Sequence, residues 1–204
     1  MPLEPQRYKY YKTQLGDSLQ SATALIRHYY TTLCSQTSQL IVQADRIWEL
    51  SQRHRLLAGI KEAAAATLLS ACHDAYQPIY HCIKQLQEAV FALSIHVTDF
   101  EREYQALQSE LNQADELRCC SLAKWNAWLT QTLRVLQTQV KFLELDSRAL
   151  LPGLIDTTTV KQFKRDLEVT AHYKASICLG LAEADRRSEL LPPINGRTST
   201  TQFI

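Results

Sequence analysis

The stretch that decides the fold is residues 72–111, CHDAYQPIYHCIKQLQEAVFALSIHVTDFEREYQALQSEL. Uncharged residues recur in it at alternating steps of four and three: Cys72, Tyr76, Ile79, Ile83, Leu86, Val90, Leu93, Val97, Phe100, Tyr104, Leu107 and Leu111. Only a helix places side chains with that spacing on one stripe, and a step of about 3.5 residues is typical of a long bundle or coiled-coil seam. The pattern predicts one long helix here, with a length of about 60 Å.

A second stripe precedes the first and predicts another long helix, over about residues 8–57. Its members are Leu15, Leu19, Ala22, Ile26, Tyr29, Leu33, Gln36, Leu40, Gln43, Ile47, Leu50, His54 and Leu57. The basic residues Arg53, His54 and Arg55 suit the negative end of this helix, and Gly59 suits the left-handed residue beyond it. Because the link is short, we expect residues 8–57 to fold back antiparallel on a helix over 60–114.

Two further helices are predicted downstream, over about 117–150 and 158–188. No Gly or Pro separates the second helix from the third around ELNQADELRCC, residues 110–120, so one continuous helix across that stretch is the alternative. The third stripe contains Leu122, Trp125, Leu129, Leu133, Leu136, Val140, Leu143 and Leu150, and the fourth contains Val160, Phe163, Leu167, Thr170, Lys174, Ile177 and Leu181. The segment LPGLIDTTT, residues 151–159, separates them with a Pro-Gly pair and candidate N-cap residues. We expect residues 1–189 to form one elongated antiparallel three- or four-helix bundle with coiled-coil-like heptad seams, followed by a flexible tail, 190–204.

The composition is that of an all-α soluble protein with no strong net charge. Hydrophobic residues make up 46% of the 204 residues, and 22 Lys and Arg balance 21 Asp and Glu. This balance argues against nucleic-acid binding, which rests on an excess of positive charge. The first twenty residues are polar and no apolar run is long enough for a membrane span. We expect an intracellular, cytoplasmic location with reduced thiols, leaving open cytoskeletal association or the nucleus.

Residues 71–82, ACHDAYQPIYHC, raise the question of a metal site. On a continuous helix the side chains of Cys72, His73, His81 and Cys82 point in four different directions and span about 15 Å of the axis. Zinc gathers its ligands within about 2.0–2.3 Å of the ion, so only a break at Pro78 could assemble a site from these four residues. The favoured interpretation has both cysteines packed, both histidines near solvent and Pro78 at a kink or joint, with no metal or cofactor.

Residues 89–97, AVFALSIHV, are apolar around most of the helix circumference. Phe91 and Ile95 lie roughly opposite the stripe, so they are either covered by the later helices or exposed as a partner-binding surface. Trp125 and Trp128 pose the same choice, because one can face the core while its neighbour forms a contact. These four residues are the candidate partner interface.

The leading functional hypothesis is a non-enzymatic scaffold or adaptor subunit of a larger intracellular complex. Long helices offer surfaces for other helical proteins or for self-association, and the sequence contains neither a nucleophile turn nor a phosphate-binding glycine loop, so no catalytic residues are assigned. Helical subunits of cytoskeletal, ciliary, kinetochore, trafficking and replication-associated complexes share this architecture, which is an analogy of fold alone.

Two alternatives come from other classes of protein. A membrane-surface module of the curved-bundle kind needs its basic residues on one concave face, whereas here they are dispersed and interleaved with acids: Lys84, Arg102, Arg118, Lys124, Arg134 and Lys141. A zinc-stabilised or metal-dependent helical protein would use Cys72, His73, His81 and Cys82. Binding to anionic vesicles and metal analysis separate these two hypotheses from the first.

Overall fold

The computed structural model describes residues 4–111 and 120–186, and in these ranges all regular structure is α-helical, with no strand. The predicted all-α class is therefore confirmed. The helices are α1 (Pro5–Leu57), α2 (Glu62–Glu110), α3 (Cys120–Ala149), α4 (Thr157–Asp166) and α5 (Ala171–Arg186). The predicted start of the third helix at 117, its connection to the second helix and the predicted flexible tail, 190–204, lie outside the described residues.

Helices α1 and α2 form a long antiparallel hairpin. The link is a short turn in which Gly59 has a φ of 82°, the left-handed conformation that glycine adopts without steric cost. The Leu57 carbonyl accepts hydrogen bonds from the amides of Ile60 and Lys61. At the opposite end, Glu110 accepts hydrogen bonds from Arg7 at 2.8 Å and from the Tyr11 hydroxyl at 3.0 Å. These contacts fix the antiparallel register at both ends.

The stripe of α2 lies in the core along almost its whole length. Ten of its twelve residues are buried, and the two others, Tyr76 and Leu111, are half-buried. The helix continues through Pro78, so of the two expectations for this residue, a kink or a joint between two helices, the joint is wrong. Proline removes one backbone hydrogen bond, but Ala75 and Ile79 on either side of it are buried. Their packing keeps the residues before and after Pro78 on the same buried stripe.

The remaining helices cover the hairpin. Helix α3 packs on α2, and the shorter helices α4 and α5 each contact both α3 and α1. An ion pair between Lys164 and Asp45, 2.6 Å from Nζ to Oδ1, connects α4 to α1. The hydrophobic core is continuous from Tyr11 in α1 to Ile177 in α5. Along the third stripe Leu133, at the irregular step, is half-buried, whereas Leu129 and Leu136 are fully buried.

The prediction of a single helix over 158–188 is wrong, because α4 ends at Asp166 and α5 begins only at Ala171. The stripe places polar Thr170 and Lys174 at core positions, and both side chains are exposed, so apolar burial does not hold the helix together there. At the break, the Gln139 amide of α3 donates to the carbonyl oxygens of Asp166 at 3.2 Å and Leu167 at 3.4 Å. A side chain from another helix thus satisfies carbonyls that a helix end leaves without partners.

Candidate functional site

The exposed surface of α2 carries a second regular stripe, which we call the outer face. It consists of Lys84, Glu88, Phe91, Ile95, Thr98 and Arg102, and all six side chains are exposed. Phe91 is 70% exposed and Ile95 is 48% exposed. Helices α3, α4 and α5 therefore leave the two apolar residues uncovered, and of the two possibilities raised by the sequence, the structure selects exposure.

Helical geometry explains why the outer face is free. The core stripe of α2 packs on α1, and α3 packs along one flank. Phe91 precedes the fully buried Phe100 by nine residues, which places it about 180° away around the helix axis. Phe91 also lies at the rim of a shallow groove of about 250 Å³ between α2 and α3, with Val140 and Lys141 on the far side. The apolar surface thus adjoins a depression that a partner side chain can enter.

The two tryptophans do not extend this surface. Trp125 is only 4% exposed and belongs to the core, so its assignment to a partner interface is corrected. Trp128 is half-buried, and its indole Nε1 donates to the Ser176 carbonyl oxygen at 3.2 Å. The same ring lies against Gly180 so closely that a Cβ there would have no room. Trp128 therefore anchors α5 to α3 instead of facing a partner.

The structure does not bring Cys72, His73, His81 and Cys82 together. Both cysteines are 1% exposed in the core, whereas both histidines are on the surface. Gln77 Nε2 lies 2.8 Å from His73 Nε2, and the His81 ring packs edge-on against Tyr80. Across residues 4–111 and 120–186, no three His, Cys, Asp or Glu side chains are placed to hold one metal ion.

We expect the cysteines to differ sharply in reactivity. Burial raises the pKa of Cys82 to about 11 and also raises the pKa of Cys72, whereas Cys34 and Cys178 are exposed. Because the thiolate is the nucleophile and Cys82 is enclosed in the core, iodoacetamide at about pH 7.5 should alkylate Cys82 at least about tenfold more slowly than the exposed Cys34. Peptide mass spectrometry over a time course, in native buffer and in urea, measures both rates. Equal native rates for Cys34 and Cys82 would contradict the placement of Cys82.

A second exposed apolar cluster, which we call the tip surface, lies at the turn of the hairpin. It consists of Leu56 and Ile60, each 74% exposed, together with Leu151 at 44% and Leu154 at 68%. The Arg55 guanidinium joins the two segments, because it donates to the Ile155 carbonyl oxygen at 2.6 Å. Sequence reasoning missed this cluster. The available signal was the occurrence of aliphatic residues off the stripes in the two turn segments.

A third feature is a groove of about 350 Å³ between α3 and the junction of α4 and α5. Its walls include Val135, Phe142, Val169 and Tyr173, and the Asp166 carboxylate lies at its edge. Asp146 of α3 faces Asp166 of α4, and a side-chain hydrogen bond joins the two carboxyl groups. Desolvation, and then the neighbouring Asp166 carboxylate, raise the pKa of Asp146 to about 6.

The raised pKa of Asp146 makes the free energy of unfolding depend on pH, in a direction that can be stated. The folded state binds the Asp146 proton more tightly than the unfolded chain, whose pKa is the ordinary 3.8, so stability falls as pH rises from about 4 through about 6. The Asp146→Asn variant should therefore be more stable than the wild type by about 1–2 kcal/mol near pH 7.5, after allowance for partial solvent exposure. Urea unfolding of both proteins across this range measures the difference. The difference should vanish near pH 4; a difference independent of pH would contradict the assignment.

The basic residues of the α2–α3 surface do not form one positive face. Arg102 pairs with Asp99 at 3.0 Å, and Lys141 pairs with Glu144 at 3.0 Å. Arg118 lies outside the described residues. In the part of the chain that the structure describes, no helix has both the length and the apolar character needed to cross a membrane.

Comparison of this chain with protein-family models, with curated proteins and with solved structures finds no match.

Proposed function

We propose that this protein is a non-enzymatic scaffold or adaptor subunit of a larger intracellular complex, and that it binds other helical proteins through the outer face of α2. The observation that carries the proposal is the exposure of Phe91 and Ile95 on the same face of α2. Exposed large apolar side chains in one patch are typical of protein-binding surfaces, and aromatic residues often supply most of the binding energy.

The arrangement of the outer face favours a helical partner. Its residues recur at steps of four and three, the spacing that lets one helix lie along another. Charged residues flank the apolar pair at both ends, with Lys84 and Glu88 before it and Arg102 after it. Such charges set the orientation and choice of a partner, because like charges placed opposite each other cost energy.

The proposal includes the finer architecture expected from the sequence. In it, α1, α2 and α3 form an elongated antiparallel bundle with coiled-coil-like heptad seams, and α4 and α5 together occupy a fourth position. A rigid rod of this kind holds its binding surface in place. The proposed setting is the cytoplasm, in a complex of cytoskeletal, ciliary, kinetochore, trafficking or replication-associated type.

Comparative affinity purification tests this function. The double variant Phe91→Ser/Ile95→Ser removes the apolar part of the outer face, and the control Val42→Ser/Leu179→Ser removes exposed apolar side chains from α1 and α5. We expect a set of proteins that copurify with the wild type and the control variant but are depleted at least about tenfold with the outer-face variant, since each buried side chain contributes about 1 kcal/mol or more. Quantitative mass spectrometry measures the depletion. Identical copurifying proteins for all three would contradict the proposal.

A further inference from the structure

The hairpin-turn part of the tip surface, with Leu56 and Ile60, lies beyond the packed core of α1 and α2. The last buried residue of α1 is Ser51, and the first of α2 is Ala65, so the turn between them is supported by few core contacts. Leu56 and Ile60 are both 74% exposed, more than any other large apolar side chain among the described residues. Exposed aliphatic residues on a projecting turn are costly in water and mark a contact surface.

Positive charge surrounds these aliphatic side chains. Residues 53–61, the end of α1 and the turn, contain Arg53, Arg55 and Lys61, all exposed, and no Asp or Glu. The Arg148 guanidinium near Leu151 and Leu154 is paired with Glu144, so that pair adds no net charge. The three basic residues of 53–61 therefore supply the positive charge of the tip surface.

A second copy of the chain is disfavoured as the occupant of this surface. Two positive tips repel each other, and exposed charges of the same sign disfavour close contact. A bilayer that contains anionic phospholipids fits better. Aliphatic side chains partition into the boundary between headgroups and acyl chains, while arginine and lysine reach back to the phosphates.

We infer that the tip surface docks on bilayers containing anionic phospholipids, with Leu56, Ile60 and Leu154 inserted among the headgroups. The hairpin contacts the membrane end-on through its turn and does not use a concave basic face. Because the charge contribution is screened by ions, binding weakens as salt is added. This surface is separate from the outer face of α2, so the failure of either proposal leaves the other standing.

Vesicle flotation of the purified full-length chain tests the inference. We expect the wild type to float with vesicles that contain phosphatidylserine and not with vesicles of phosphatidylcholine alone. The Leu56→Ser/Ile60→Ser/Leu154→Ser variant should lose at least about tenfold in partitioning, because its aliphatic side chains no longer insert. The Arg53→Gln/Lys61→Gln variant should lose about tenfold through its two missing charges. All substituted side chains are exposed, so circular dichroism and thermal unfolding should match the wild type.

The matched control is Phe91→Ser/Ile95→Ser, which removes exposed apolar surface from the outer face of α2 and should float like the wild type. Three results would overturn the inference: no flotation with phosphatidylserine vesicles, equal flotation with phosphatidylcholine alone, or full retention by the triple variant. An acidic protein partner would give the first of these results, because it would require the same charges and no lipid.

Discussion

Replacing Phe100 with alanine is expected to lower the free energy of unfolding by about 3–5 kcal/mol, the usual cost of removing a fully buried phenyl ring from a core. The ring is 0% exposed and lies in the core stripe of α2. Phe91 is 70% exposed on the opposite side of the same helix. The same substitution at Phe91 should therefore change the free energy of unfolding by less than about 0.5 kcal/mol, as is usual for surface positions.

The pair of alanine variants tests the rotational phase of α2, on which the outer face depends. Both variants replace phenylalanine with alanine within the same helix, so the change in helix propensity is the same. Only the burial of the ring differs between the two positions. Urea unfolding followed by circular dichroism gives both free energies. A similar loss of stability for the two variants would mean that Phe91 is packed, and the proposed binding surface would then be lost with it.

Replacing Gln139 with leucine is expected to cost about 2–4 kcal/mol, because several buried polar groups would lose their partner at once. Gln139 Oε1 accepts a hydrogen bond from the Tyr29 hydroxyl at 2.9 Å, and its amide donates to the end of α4. Burial raises the pKa of Tyr29, so the hydroxyl stays protonated and donates throughout the physiological pH range. The Gln139 side chain therefore joins α1, α3 and α4 through one buried network.

A double-mutant cycle distinguishes this network from simple packing. Tyr29→Phe alone should cost about 1–2 kcal/mol, and the double variant Tyr29→Phe/Gln139→Leu should cost less than the sum of the two single changes. Gln39→Leu, on the exposed surface of α1, is the control and should be nearly neutral. Strict additivity of the two buried substitutions, measured by urea unfolding, would show that the hydrogen bond contributes no coupling.

The long helices could be predicted from the sequence because their determinants are local and periodic. The alternating stripe of α2 predicted its buried residues, and Gly59 predicted the left-handed residue of the turn. The break between α4 and α5 was missed although the polar residues Thr170 and Lys174 at stripe positions are a local signal for it. The contact that stabilises the end of α4 could not be predicted in the same way, because Gln139, whose amide donates to the carbonyls there, is distant in sequence.

The candidate site was predicted in part, for a similar physical reason. Helical phase alone places Phe91 and Ile95 opposite the core stripe, so their exposure follows from local spacing. The burial of Trp128 depends instead on Gly180, whose missing side chain leaves room for the indole ring. The tip surface was missed because Leu56 lies off the α1 stripe and Ile60, Leu151 and Leu154 belong to turns, where no period indicates which side faces water.

The most direct measurement of the proposed function is photo-crosslinking in cells, with a photoreactive amino acid at position 91 or 95 of the outer face and at Gln39 as the exposed control. We expect discrete crosslinked species at positions 91 and 95 that are absent at position 39, and mass spectrometry should identify them as helical proteins of one complex. Position 91 yielding no more crosslinked product than position 39 would contradict the proposal that the outer face of α2 is a binding surface.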